Sequence, residues 1–170
     1  LLRLYIHEEG AQKSTDLIIS ESGCKEVYKA SLLKDPLHVE NLQSLGADYI
    51  ITVYWTYLLK PDVINSVKDT VNFHPALLPI NRGWFPHVHS IIDGTPLGVT
   101  LHRIDEGADT GPIWAQKEVE LLLVDTAKTV YDRLQNEMVE LFKENWPKIK
   151  SGSISPKEQD HDQAIYHKKK

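Results

Sequence analysis

The stretch "YIITV", Tyr49 to Val53, is a continuous apolar run of β-branched and aromatic residues with no polar alternation. A strand that is covered on one face alternates apolar and polar side chains, whereas a strand covered on both faces does not, so this run predicts a strand inside a parallel sheet. Working backward, Val39, Leu42 and Leu45 lie at helical spacing, with Asp35 as N-cap, Pro36 at the first helical position and Gly46 as the stop. Asp16-Leu17-Ile18-Ile19 reads as a short buried strand closed near Gly23, and Leu1 to Glu9 reads as the end of a helix. Working forward, Pro61 opens a short helix through Val67, and Thr70 to Phe73 is the next strand. Phe85 to Asp93 is a helix ended by Gly94, and Gly98 to Ile104 and Pro112 to Glu120 are two further strands. A long helix starts near Thr126, carries Val130, Leu134, Met138, Leu141 and Phe142 on one face, and ends or kinks near Pro147. Helices alternating with buried strands predict an open, mostly parallel α/β sheet with flanking helices, Rossmann-like in plan. Residues 1–150 form its domain, and the polar residues 151–170 follow as an extended tail.

Composition narrows the function. A chain of 170 residues suits one domain, and 41% hydrophobic with 25% charged residues is ordinary for a globular chain. The formal charge of −5 argues against a broad electrostatic grip on nucleic acid. No apolar stretch approaches the roughly 20 residues that a bilayer span needs, and no secretory leader is visible. The single cysteine, Cys24, cannot form an internal disulfide, reads as a small buried hydrophobe, and fits a reducing cytoplasm. The chain opens Leu1-Leu2-Arg3 without an initiator methionine, which reads as a chain lacking N-terminal residues.

Ligands of open α/β sheets sit at the carboxyl ends of the strands. Two polar stretches fall there: "NFHPALLPINRG", residues 72–83, and "DEGADTG", residues 105–111. In the first, Asn72 and His74 are two apart, so a strand turns both to one side and Phe73 to the other. An amide and an imidazole on one side can both donate to a developing oxyanion, and Asp109 in the second stretch can accept a proton and favour a charged imidazole. That set contains no nucleophile, so it suits a substrate that itself attacks a carbonyl, as an amine does in acyl transfer. Taken alone, Asn-x-His at a strand end is more often a turn-bonding pair, and Asp109 more often a loop or cap residue.

The order and separation of Asn72 to Pro79, Gly98 to Thr100 and Asp105 to Gly111 resemble the formyltransferases that use 10-formyltetrahydrofolate. The resemblance covers about residues 30 to 150. It implies the formyltransferase fold, with its first strand and Gly-rich loop apparently absent from this chain, and a folate co-substrate as formyl donor. It implies Asn72, His74 and Asp109 as the catalytic residues, with His74 acting as imidazolium. It also implies pterin contacts through the backbone of Tyr54 to Leu58, including Trp55, and of Asp105 to Asp109, including Gly107. Asn81-Arg82-Gly83 with the following aromatics and Pro86-His87, and the tail "QDHDQAIYHKKK", look like the branch that formylates nucleotide-linked amino sugars for bacterial surface polysaccharide such as O-antigen. On that likeness Arg82, His87 and Tyr166 meet the substrate, Lys168 to Lys170 remain a solvated end, the location is cytoplasmic, and a homodimer is suggested by analogy. The alternatives are a phosphoribosylglycinamide formyltransferase of purine synthesis and an inactive folate-binding module. A metal site among His74, His87, His89 and His102 is the remaining alternative; no metal is expected.

Overall fold

The computed structural model describes residues 2–6, 12–23, 26–28, 39–53, 55 and 57–169. Its main sheet contains β1 (Leu2–Ile6), β2 (Glu26–Tyr28), β3 (Tyr49–Val53), β4 (Asp69–His74), β6 (Gly98–His102) and β7 (Ile113–Glu118). They lie in the order β2-β1-β3-β4-β6-β7. The first four are mutually parallel, and β6 and β7 add antiparallel strands at the far edge. A small second sheet pairs β5 (Arg82–Gly83) with β8 (Tyr166–His167). The helices are α1 (Gln12–Ser22), α2 (Val39–Ser44), α3 (Pro61–Ile64), α4 (Pro86–Asp93) and α5 (Ala127–Ser151).

The run that predicted a doubly covered strand is one. Ile51 and Val53 pack with α1 and α5 on one face of the sheet, while Ile50 packs with Leu42 of α2 and Val63 of α3 on the other. The same alternation holds in β4 and β6. Val71, Phe73, Val99 and Leu101 join the α5 side, so Asn72, His74, Thr100 and His102 point to the opposite side.

Two early elements differ from the sequence reading. Leu2–Ile6 is a strand paired to both β2 and β3, not the end of a helix. Asp16 to Ile19 lies inside α1, with Ile18 buried and Leu17 exposed. Short apolar runs satisfy both periodicities, and it is the open edge of β3 that makes one of these segments a strand. Cys24, Asp35, Pro36 and Tyr54 lie outside the described residues.

Helix α5 runs through Pro147 to a left-handed cap at Gly152. A proline inside a helix costs about 3 kcal/mol. Here it sits between two anchors: Trp146, 1% exposed, stacks on Phe142, and Ile149 is 4% exposed. Burying two such side chains is worth roughly 1.5–3 kcal/mol each, which outweighs the proline. Beyond it, the expected tail is extended but docked. Lys157 exchanges backbone hydrogen bonds with Ile113, residues His161–Gln163 form a 3₁₀ turn, and β8 lies against β5.

Candidate active site

Strand register places three polar side chains in a row, because Thr52 is opposite Asn72 on β3–β4 and Asn72 is opposite His102 on β4–β6. The Thr52 hydroxyl donates to Asn72 Oδ1 at 2.6 Å. That bond fixes which end of the amide faces the site. Asn72 Nδ2 then donates to His102 Nε2 at 2.9 Å, and His102 Nδ1 donates to the Arg103 carbonyl at 2.8 Å. Among the described residues the second N–H of Asn72 has only Asp109 Oδ1, at 3.5 Å, and is free to serve a better acceptor.

His74, 4% exposed, donates from Nε2 to the Asn81 carbonyl at 2.8 Å and turns Nδ1 to Asp109 Oδ1 at 3.5 Å. The other carboxylate oxygen, Oδ2, accepts from the Gly83 N–H at 2.9 Å. Burial alone would raise the Asp109 pKa, yet His74, His102 and the Gly83 N–H together hold it far below the usual carboxylate range. For His74 burial is the largest influence and lowers the pKa; the nearby Asp109 and the Asn81 carbonyl only partly offset it. Nδ1 faces the carboxylate, so a proton there completes an ion pair with Asp109.

The supporting backbone is strained where the site is tightest. Asn81, Phe85 and Asp109 adopt φ of 58°, 50° and 55°, a left-handed conformation that costs an L-residue roughly 1–2 kcal/mol. Asn81 compensates fully: its Nδ2 donates to Ser90 and Thr95, its Oδ1 accepts from His167 Nε2, and its carbonyl holds His74. Gly83 is required at its position, since a Cβ there would lie 2.2 Å from the His167 carbonyl oxygen.

A cavity of about 620 Å³ opens over this cluster, a size typical of small-molecule sites. Asn72, His74 and Asp109 form its floor. Of the expected folate residues, Trp55, Leu58 and Gly107 line it, whereas Asp105 does not. Asp105 Oδ1 accepts from the Gly107 N–H and the Thr110 hydroxyl, which shapes the loop that carries Asp109. Of the expected substrate residues, His87 and Tyr166 line the cavity. Burial lowers the His87 pKa, and its Nδ1 is buried with no hydrogen-bond partner among the described residues. Arg82 is a correction. Its guanidinium is buried away from the cavity and donates to Gln159 Oε1 at 3.2 and 2.7 Å and to His161 Nδ1 at 2.9 Å.

The histidines weighed as metal ligands separate. His74 and His102 face Asp109, His87 lines the cavity, and His89 stacks on His167 with centroids 3.4 Å apart. His89, Asp93 and His167 place ligand atoms within 4.8 Å of one another. The two stacked rings lie in nearly parallel planes, so their in-plane lone pairs do not converge. Thr52, Asn81, His102 and Gln159 were missed as site residues. Cross-strand register and chain return bring them together, and neither leaves a local signature in the sequence.

No helix among the described residues is long and apolar enough to cross a membrane. A dTDP-4-amino-4,6-dideoxyglucose formyltransferase of Mycobacterium bovis is 41% identical over 110 residues, which is 65% of this chain and 47% of that protein. The chain thus spans about half the length of the curated relative it matches. Among solved structures, the formyltransferase PseJ from Anoxybacillus kamchatkensis, in complex with UDP-4,6-dideoxy-4-formamido-L-AltNAc and tetrahydrofolate, is 32% identical with a TM-score of 0.82, covering 99% of this chain and 86% of that one. A 4-N formyltransferase from Francisella tularensis is 26% identical with a TM-score of 0.80, covering 98% and 76%. Residues 6–145 match the family described as formyl transferase, and with the Asn72, His74 and Asp109 cluster at its centre the chain belongs to that family.

Proposed function

We propose that the chain is the catalytic part of an N-formyltransferase that moves a formyl group from 10-formyltetrahydrofolate to the amine of a nucleotide-linked amino sugar, in the building of bacterial surface polysaccharide. One observation carries the reading. An amide N–H, an imidazole and a carboxylate converge within 3.5 Å on a cavity floor that offers no free nucleophile, the Thr52 hydroxyl being committed to Asn72. Such a floor serves a substrate that brings its own nucleophile. The names of the similar proteins, which act on or hold nucleotide-linked sugars, support the choice of acceptor.

The folate supplies an activated formyl carbonyl and a nitrogen leaving group. Asn72 Nδ2 donates to the carbonyl oxygen as the amine attacks and negative charge grows on it. Asp109, with His74 beside it, takes the proton released by the attacking nitrogen, and the pair is then an imidazolium against a carboxylate. The same pair returns that proton to the leaving nitrogen as the carbon–nitrogen bond to the carrier breaks, which leaves a formamide and tetrahydrofolate. Trp55, Leu58, His87 and Tyr166 line the cavity that a pterin and a sugar nucleotide would cover. A reducing cytoplasm, in which reduced folate persists, is the compartment this chemistry requires. A homodimer is proposed on family likeness, to be checked by sedimentation.

The test is incubation of the protein and 10-formyltetrahydrofolate with dTDP- and UDP-linked amino sugars, glycinamide ribonucleotide and methionyl-tRNA in separate reactions. The expected result is the mass gain of one formyl group on a nucleotide-linked amino sugar. Formylation of glycinamide ribonucleotide or methionyl-tRNA alone would overturn the acceptor, and no formyl transfer to any of them would overturn the activity.

A further inference from the structure

Gln159 lies 50 residues beyond Asp109, in the segment that follows α5, and is 5% exposed. All four hydrogen-bonding positions of its amide are filled. Nε2 donates to the Asp109 carbonyl at 2.9 Å and to the Gly111 carbonyl at 2.7 Å. Oε1 accepts from Arg82 Nε at 3.2 Å and Nη2 at 2.7 Å. Two carbonyls can only accept and a guanidinium can only donate, so the amide has a single orientation. Its two donor bonds end on both sides of Thr110, at the start and finish of the turn that holds Asp109 in its left-handed conformation. Gly111 is pressed so closely on the Arg103 carbonyl oxygen that any side chain there would collide with it, so the turn has no room to relax on that side. Arg82, in turn, lies next to Gly83, whose N–H holds the Asp109 carboxylate. One buried amide thus braces the carbonyl of Asp109 and, through Arg82, the strand that holds its carboxylate.

We infer that Gln159 is a positioning residue, which aims the Asp109 carboxylate at His74 and Asn72 by clamping the backbone of the turn that bears it. Gln159 then completes the catalytic centre from the C-terminal segment without itself touching substrate. The kinetic arm of its test rests on the N-formyltransferase reading; the spectroscopic arm does not.

Gln159→Met keeps the volume and removes all four bonds. Gln159→Glu keeps the acceptor for Arg82 but sets an acceptor against the two carbonyls. In both variants kcat is expected to fall about tenfold to hundredfold, as for a reacting group displaced by roughly 1 Å, with KM for either substrate within about twofold of the parent. The Asp109 side-chain carboxyl ¹³C resonance, identified by its loss in Asp109→Asn, is expected to titrate at higher pH in both variants, because the carboxylate leaves the Gly83 N–H and the imidazoles. A merely structural role would lower the melting temperature while leaving that titration and kcat unchanged, and this outcome would overturn the inference. A raised KM at constant kcat would overturn it too, since Gln159 would then belong to the binding wall. If wild-type protein transfers no formyl group, the functional reading fails while the titration still judges Gln159. If neither Gln159 variant folds, Arg82→Lys decides: it is expected to shift the titration in the same direction by less, and an unchanged titration sinks the proposal.

Discussion

Asn72, His74 and Asp109 on the cavity floor are held by hydrogen bonds from β3, β6, the Asn81–Gly83 segment and the chain beyond α5, whereas Leu58, Phe85 and Tyr166 on its walls stand 62%, 58% and 50% exposed. The contrast follows from what each region is for. Dipoles that stabilise a developing charge must be fixed before the reaction, in a place where water does not compete. Surfaces that recognise a ligand gain most when they are left for the ligand itself to cover. Even the strain is divided this way. Asn81 and Asp109 offset their left-handed backbone with internal bonds, while Phe85, with the same backbone, presents its ring to solvent at the rim.

Substitutions can break this division or sharpen it. The largest effect is expected at the floor. Asn72→Ala and Asp109→Asn should each lower kcat by about 10²–10³ or more with circular dichroism unchanged; near-normal turnover in either variant would remove that residue from the chemistry. A step below comes Thr52→Val, which keeps the shape and deletes the hydroxyl that orients Asn72. An amide held through Nδ2 alone should lower kcat by about tenfold, and a change confined to KM would mean that Thr52 serves the wall instead.

At the wall, Tyr166→Ala should raise KM for the sugar nucleotide by about tenfold with kcat within about twofold, the pattern of uniform binding. If kcat falls as far as it does in Asn72→Ala, the floor and wall are not separable.

The smallest effect is on stability against pH. His74 is depressed in the folded state by burial, so the unfolded chain binds its proton first, near the ordinary value of about 6.5. Its contribution to stability is therefore complete above about pH 6.5 and is lost as pH falls from there toward the lowered folded value. The Asp109 carboxyl is also depressed, so its contribution is present above the usual carboxyl value of about 4 and is lost as pH falls further. Urea unfolding at a series of pH values should show two acid-side losses, the upper one missing in His74→Asn. A flat profile from about pH 7 to 5 would show that burial does not depress the imidazole.

How much of this was legible in advance depended on how local the signal was. Tyr49 to Val53 declared its burial because both faces of one strand are written in one stretch. Gly94 ended α4 and Thr126 capped α5 because caps act within a few residues. Residues 2–6 and 16–19 exchanged their expected structures because four or five apolar residues do not distinguish a helix from a strand. Pro147 misled because the proline is visible locally, while the packing of Trp146 and Ile149 that outweighs it is not. Within the site, Asn72 and His74 were readable as a pair from strand alternation, and Asp109 from its motif. Arg82 looked like a ligand contact because its charge is visible and its partner Gln159, 77 positions away, is not.

The sequence by itself determined the open α/β plan, the shared orientation of Asn72 and His74 and the order of the motifs, because periodicity, caps and turn residues are properties of neighbours along the chain. Only the tertiary structure decided that Thr52 and His102 flank Asn72, that burial pushes the His74 pKa down, and that the segment after α5 returns to brace Asp109. Cross-strand register, desolvation and long-range closure depend on what surrounds a group in space, and residues up to 86 positions apart supply those surroundings here.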